Sequence, residues 1–337
     1  MIMKKILYIS NYRKGIGGIS AQVDLLNSHM RDEGYTTSIF STKGNPMKRI
    51  WLFLKLLIAA RRYDVLHIHG CSDWGMLPVV YGVISGKIWR KRIIVTYHGG
   101  EAAEYFKKHG AFARRWLKRA DKVIVLSGFL KKVFDEYDIP CVVIPNIVPL
   151  REDVYKPKKI IAPKMISVRH LTDLYRIDLI IRAFAKVVEK YPEATLDILG
   201  QGDKRAELEQ LAVNDERLAN RVRFIGQVPH EKMYDYLKVN DIMISAPRID
   251  NMPVSLMEAM NAGVLVISSN VGGVPYMVEY QKSGLLFDGD ADALAEQILW
   301  AMEHQKESAA MIEAAHEEVQ RYNWNNIREQ LLPLYNE

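Results

Sequence analysis

Residues 241–275 read DIMISAPRIDNMPVSLMEAMNAGVLVISSNVGGVP, and this stretch decides the fold. Residues 241–245 alternate into a short apolar run that Pro247 stops, and the polar loop 248–252 follows. The pattern predicts a buried strand that delivers a loop. A helix is expected next, because Leu256, Met257 and Met260 supply an apolar stripe and Gly263 closes it. Residues 264–267 then read as another strand. Such a β-loop-α-β unit belongs in an open parallel sheet, where loops at the carboxyl ends of strands line the ligand crevice. A helix start in that crevice offers unpaired N–H groups and a positive dipole end to an anion.

Two carboxylates, Asp250 and Glu258, flank that helix start, and each has an ordinary explanation. Ser255 stands three residues before Glu258, the spacing of a capping box. Asp250, with Asn251 and Pro253, is common turn chemistry. The acid at 250, the seven residues after it, Glu258-Ala259-Met260 and Gly263 together resemble the signature of the retaining glycosyltransferases of the GT-B fold, family 4. The resemblance implies two Rossmann-like, doubly wound parallel-sheet α/β domains facing across a cleft. It puts the first acid beside the sugar being transferred and the second on the ribose hydroxyls of the nucleotide. The backbone N–H groups of Met252, Pro253, Val254 and Ser255 are expected to hold sugar hydroxyls and phosphate. The family more often carries Glu at the first position, and Asp250 is one methylene shorter.

At 337 residues the chain is long enough for two domains, each with its own core. No apolar run approaches the ~20 residues that span a bilayer. Lys4 and Lys5 precede only a short apolar segment, too brief for a secretory signal and well formed as a first strand. Cys71 and Cys141 sit in no paired motif, so a reducing cytoplasmic setting and no metal cluster are expected. Residues 1–163 hold 28 Lys and Arg against 13 Asp and Glu, net +15, whereas residues 164–337 hold 18 against 27, net −9. A basic first half attracts anionic lipid headgroups, phosphates or nucleic acid.

After the first strand, residues 11–20 carry Gly15, Gly17 and Gly18, which let backbone approach a phosphate. A dinucleotide fingerprint is not met. The third glycine is replaced by Ser20, and the second strand, 36–41, ends in Thr42-Lys43 with no carboxylate. The family resemblance instead implies a Gly17-Gly18-Ile19 loop over the donor diphosphate and acceptor. Residues 47–63, MKRIWLFLKLLIAARRY, form either a helix packed on the sheet through Ile50, Leu54, Leu57 and Ile58, or a membrane-surface helix with Trp51 and Phe53 in lipid and basic residues on headgroups. Residues 104–122 repeat the theme with Phe112, Trp116 and six interleaved Lys and Arg. No nucleic-acid motif accompanies them, so lipid contact is preferred over nucleic acid. Residues 64–69 and 92–98 are strands ending in histidine and glycine. His98 before Gly99-Gly100 matches the His-Gly that the resemblance puts beside the transferred sugar, while His67 and His69 are read as structural. Residues 149–163, rich in Lys and Pro, read as a linker.

In the second half the resemblance expects an Arg and then Lys-Gly on the diphosphate. Arg169 matches, but Tyr175-Arg176 stands where Lys-Gly is expected. Arg176 is therefore either a replacement cation or a solvated charge, and Tyr175 a hydrogen-bond donor. The strand ending at Gly200 comes beside the nucleotide in the same likeness. Asp288, Asp290 and Asp292 either hold a divalent ion or cap the helix that follows; capping is preferred, and the expected chemistry is metal-independent. The expected domains are 1–155, with the helix at 323–337 packing back on it, and 160–320. The expected function is retaining transfer of a hexose-type sugar from a nucleoside diphosphate sugar to a glycan or polyprenyl-linked acceptor in bacterial surface polysaccharide synthesis. No cofactor is expected, and the location is cytoplasmic, peripheral on the inner face of the membrane. The alternative is a catalytically weak or inactive sugar-nucleotide or glycan-binding protein on the same scaffold.

Overall fold

The computed structural model describes residues 4–14 and 17–336. It divides into two units, Met1–Pro149 with Tyr322–Glu337, and Leu150–Arg321. The first holds parallel strands β1 (Lys5–Ser10), β2 (Thr36–Ser41), β3 (Val65–Gly70), β4 (Arg92–Tyr97), β5 (Lys122–Val125) and β6 (Val142–Val143) in the order β2-β1-β3-β4-β5-β6. The second holds β7 (Lys164–Val168), β8 (Thr195–Leu199), β9 (Val222–Gly226), β10 (Ile242–Ser245), β11 (Leu265–Ser269) and β12 (Leu285–Phe287) in the order β12-β11-β10-β7-β8-β9. Both are doubly wound α/β sheets. Strands β3 and β10 are buried at every position, as a parallel sheet covered on both faces requires; β10 runs apolar without alternating, whereas β3 carries His67 and His69 into the interior.

Strand order locates the crevices. In the first unit the direction of winding reverses between β1 and β3, and in the second between β7 and β10. Ligands of open α/β sheets bind beyond the carboxyl ends of the strands at such a reversal. The stretch 241–275 forms β10, the helix Val254–Ala262 and β11, in the predicted sequence. Gly263 ends the helix at φ 72°, ψ 38°, and a Cβ there would lie 2.9 Å from the Lys156 carbonyl oxygen, so both conformation and space select glycine.

Two expectations are corrected here. Residues 149–163 are not a free linker: Val154 and Ile161 are buried in the second unit, and Asp241 binds Lys158 and the Ala162 N–H. The helix Pro46–Ala60 buries Leu56 and Ala60, while Ile50, Leu54 and Ile58, assigned to the core by their shared face, are 64%, 43% and 69% exposed. The terminal helix Trp324–Asn336 lies in the first unit, packing Ile327, Leu331 and Tyr335 with Ile6, Tyr8 and Val65.

Candidate functional site

The winding reversal of the second unit brings the end of β7, which carries Arg169, beside the loop after β10, which carries Asp250. Their side chains form an ion pair at 3.2 Å, both largely shielded from solvent. The Arg169 Nε–H donates to Ser245 Oγ at 3.1 Å, and its guanidinium lies 5.3 Å from the Tyr175 ring centroid. Asp250 Oδ1 accepts the Asn251 N–H at 2.8 Å, which fixes the carboxylate against its own loop. The arginine expected on phosphate and the acid expected on sugar are thus paired with each other.

The helix Val254–Ala262 opens at this point. Its N-cap is Pro253, which makes no side-chain cap, and the Val254 and Ser255 N–H groups have no intrahelical acceptor by position. Pro253 has no N–H, so it cannot be the donor expected of it. The capping box is also absent. Ser255 Oγ is buried without a partner among the described residues, and Glu258 turns instead to His230, whose Nε2 lies 2.5 Å from its carboxylate. Glu258 is 2% exposed. The bond to Glu258 raises the His230 pKa above its ordinary value. No spacing in the sequence points to His230, which arrives from the loop after β9.

Glycines let the loops crowd this corner. At Gly200, φ 140°, a Cβ would strike the Arg169 carbonyl oxygen. Cβ atoms at Gly272 and Gly273 would strike the carbonyl oxygens of Asp250 and Asn251, and the Gly273 N–H donates to Asp250 O at 2.9 Å. The turn after β11 thus supports the loop that aims Asp250. Gly273→Ala should cost ~1–3 kcal/mol of stability through overpacking and lower any Asp250-dependent activity by ~10-fold or more through misplacement. Thermal melts and turnover measured together check this; an unchanged rate would mean that the loop does not aim the acid.

Arg176 is half-buried and is held by backbone carbonyl oxygens, two of them in the loop after β10. Its Nε–H donates to Ala246 O at 2.8 Å, and Nη1 and Nη2 reach Gly289 O and Pro247 O at 3.2 and 3.5 Å. Burial, with Arg248 nearby, lowers its pKa. Its backbone is left-handed, φ 45°, at the N-cap of the helix Ile177–Lys190. Glycine adopts that conformation without penalty, which is the physical sense of the Lys-Gly pattern from which this chain departs.

In the first unit Gly17, φ 85°, caps the helix Gly18–Asp32, while Gly15 and Ile16 lie outside the described residues. His98 follows β4, and its N–H donates to Gly70 O at 2.8 Å. His69 Nδ1 lies 2.9 Å from His98 Nε2, with the rings stacked. His67 sits between the Tyr335 hydroxyl at 2.5 Å and Thr96 Oγ1 at 2.8 Å. Burial lowers the pKa of His98 to about 4 and of His67 to about 3, and that of His69 far below its ordinary value. A cavity of about 40 Å³, lined in part by the three histidines, Gln22 and Asn146, lies beside them.

The aspartates at 288–292 have partners. Asp290 accepts the N–H groups of Asp292 and Ala293 as an N-cap, Asp288 accepts from Asn270, and Asp292 binds Lys186. Among the described residues no group of three His, Cys, Asp or Glu is arranged to hold a metal ion. Burial pushes both cysteine thiols up to about 11, so neither is an activated nucleophile.

The family described as Glycosyl transferases group 1 matches residues 154–318, and Glycosyltransferase Family 4 matches residues 43–152. The chain is 29% identical over 164 residues to D-inositol 3-phosphate glycosyltransferase of Corynebacterium urealyticum, covering 46% of this chain and 38% of that protein. It is 30% identical over 178 residues to amylovoran biosynthesis glycosyltransferase AmsK of Erwinia amylovora, covering 51% and 42%. The matched stretch thus spans about two fifths of those relatives' own lengths. Its fold is that of Anabaena HepE, solved with UDP and glucose, at a TM-score of 0.80 and 20% identity over 99% of both chains.

Proposed function

The chain belongs to the group 1, family 4 glycosyltransferases of GT-B fold, and from that premise we propose that it transfers a hexose-type sugar from a nucleoside diphosphate sugar to a glycan or lipid-linked glycan, with retention and without a metal. The observation that carries this is the Arg169–Asp250 pair at the winding reversal, beside the open N–H groups of Val254 and Ser255. A diphosphate supplies the charge that Arg169 and the helix start lack, and its arrival draws Arg169 off Asp250. Asp250 is then free to stabilise the positive charge that develops on the sugar, while the leaving diphosphate gains charge against Arg169. Glu258 holds the ribose hydroxyls. Retention follows from attack on the face that the leaving group departs, with a phosphate oxygen as base. To the first unit the proposal gives the acceptor and His98, as a hydrogen-bond partner of the sugar.

A panel of nucleotide sugars, read by release of free nucleoside diphosphate and by the anomer of the product, tests the reading. Release with a retained anomer is expected; binding without release would favour a non-catalytic sugar-nucleotide protein. The engagement of Arg176 by backbone carbonyls, which leaves the family's lysine position without a cation, is what keeps that second reading in view. Similarity to the Erwinia glycosyltransferase of amylovoran biosynthesis supports a role in polysaccharide synthesis.

The same reading sets the first unit on the anionic inner face of a membrane. On the helix Pro46–Ala60, Met47, Ile50, Trp51, Leu54 and Ile58 form an outward stripe, and Lys48, Lys55, Arg61 and Arg62 are exposed around it. Arg49 stacks on the exposed Trp74 at 4.4 Å. Apolar side chains bordered by cations match an anionic interface. Among the described residues no helix is long and apolar enough to cross a membrane. Flotation with phosphatidylserine vesicles should fall by ~10-fold or more between 50 and 300 mM salt, given ~1 kcal/mol per engaged cation, and Ile50→Glu should abolish it. Equal flotation with neutral vesicles would sink the idea.

A further inference from the structure

We propose that His69, read from sequence as structural, is the positioning residue that sets the tautomer of His98, so that His98 meets its ligand as a hydrogen-bond donor through Nδ1. The inference rests on the reading that His98 contacts the sugar.

His69 Nδ1 and His98 Nε2 lie 2.9 Å apart, so one of them carries the shared hydrogen. The other nitrogen of His69, Nε2, decides which. That atom is buried and has no hydrogen-bond partner among the described residues. If His98 donated, the hydrogen of a neutral His69 would have to sit on Nε2, as a buried N–H with no acceptor among the described residues. Orphaned buried N–H groups are rare, and their desolvation is uncompensated. If His69 donates from Nδ1, its Nε2 is a bare nitrogen and no donor is stranded. His98 Nε2 is then the acceptor, and the single hydrogen of His98 lies on Nδ1.

Both rings are neutral at pH 7, because burial disfavours their charged forms, so the two-tautomer choice is the whole choice. The backbone holds the arrangement. His69 lies on β3, registered against Thr96 of β4, and the His98 N–H is tied to Gly70 O. Fixing an imidazole tautomer through its far nitrogen is a general device, with the partner worth ~10–100-fold in metal-site histidines. The consequence here is specific. At neutral pH His98 Nδ1 can give a hydrogen bond to a sugar or phosphate oxygen, and it cannot take a proton from an acceptor hydroxyl.

The test is long-range proton–nitrogen NMR on the full chain with nitrogen-15-labelled histidine at pH 7.5, with His98 assigned from a His98→Ala spectrum. The expected spectrum shows His98 with a protonated Nδ1 and a bare Nε2; the opposite assignment overturns the proposal. His69→Phe should convert His98 to a mixture of tautomers and lower turnover ~10–100-fold. His69→Asn, whose amide can present an N–H near the Nδ1 position, should restore the Nδ1–H form and most of the rate. A His98 tautomer unchanged in His69→Phe also overturns the proposal. If that variant does not fold, the wild-type spectrum and His69→Asn decide. A wild-type rate in His98→Ala, with the Nδ1–H form present in the wild-type spectrum, would leave the tautomer assignment standing and remove the sugar contact.

Discussion

Asp250→Asn is expected to lose at least ~100-fold in kcat, about 2.7 kcal/mol of transition-state stabilisation, while donor binding holds or tightens. The split follows from the Arg169–Asp250 pair. Part of the cost of binding a diphosphate is separating that pair, and an amide at 250 no longer competes for the guanidinium. The charge that steadies the departing sugar is lost in the same substitution. Glu258→Gln should show the complementary pattern. Its carboxylate is buried and would accept two ribose hydroxyls, whereas an amide offers one acceptor and one donor, so a loss of ~100-fold in kcat/KM should fall mainly on donor KM. Donor affinity by calorimetry and single-turnover rates separate the two. Weakened donor binding with an unchanged rate in Asp250→Asn would reverse the roles given to the acids, and wild-type rates in both variants would remove the site.

Acid should begin to destabilise the first unit before the carboxylates titrate. His67, His69 and His98 have folded pKa values depressed below the ordinary value near 6.5, so the unfolded chain binds more protons between that value and about 4. Their contribution is fully present above pH 6.5 and is lost as pH falls toward the folded values. Each neutral buried histidine gives ~1.4 kcal/mol per pH unit in that window, and with His98 discounted for its partial exposure the three give ~3–4 kcal/mol per unit. Against a domain stability of ~5–15 kcal/mol, two to three such units exhaust the fold. His230 runs the other way, since its pKa is raised in the folded state, and it belongs to the second unit. Urea unfolding from pH 8 to 4 should show a steep loss below 6.5 that His67→Gln reduces by about a third. A flat profile down to pH 4.5 would mean that the histidines are not buried neutral.

Much of the scaffold could be read from local pattern. The run 241–245, the stop at Pro247, the apolar stripe at 256, 257 and 260 and the end at Gly263 name strand, loop and helix because each signal acts within a few residues. Ser255 and Glu258 misled for the same reason: their spacing fits a capping box, but the acid had a stronger partner in His230. The helix Pro46–Ala60 misled differently. Its periodicity gives an apolar face but not what covers it, and the sheet took Leu56 and Ala60 while Ile50, Leu54 and Ile58 were left outside.

Two α/β sheets, the loop that follows each strand and the identity of the acids are legible in the primary structure, because periodicity and chain punctuation are short-range properties. Tertiary structure alone decided which groups meet: Arg169 with Asp250, His230 with Glu258 and His69 with His98. The first and last of those pairings follow from strand order, which brings β7 beside β10 and β3 beside β4. Strand order is settled by burying both faces of each sheet at once, a global condition that no short stretch of residues contains.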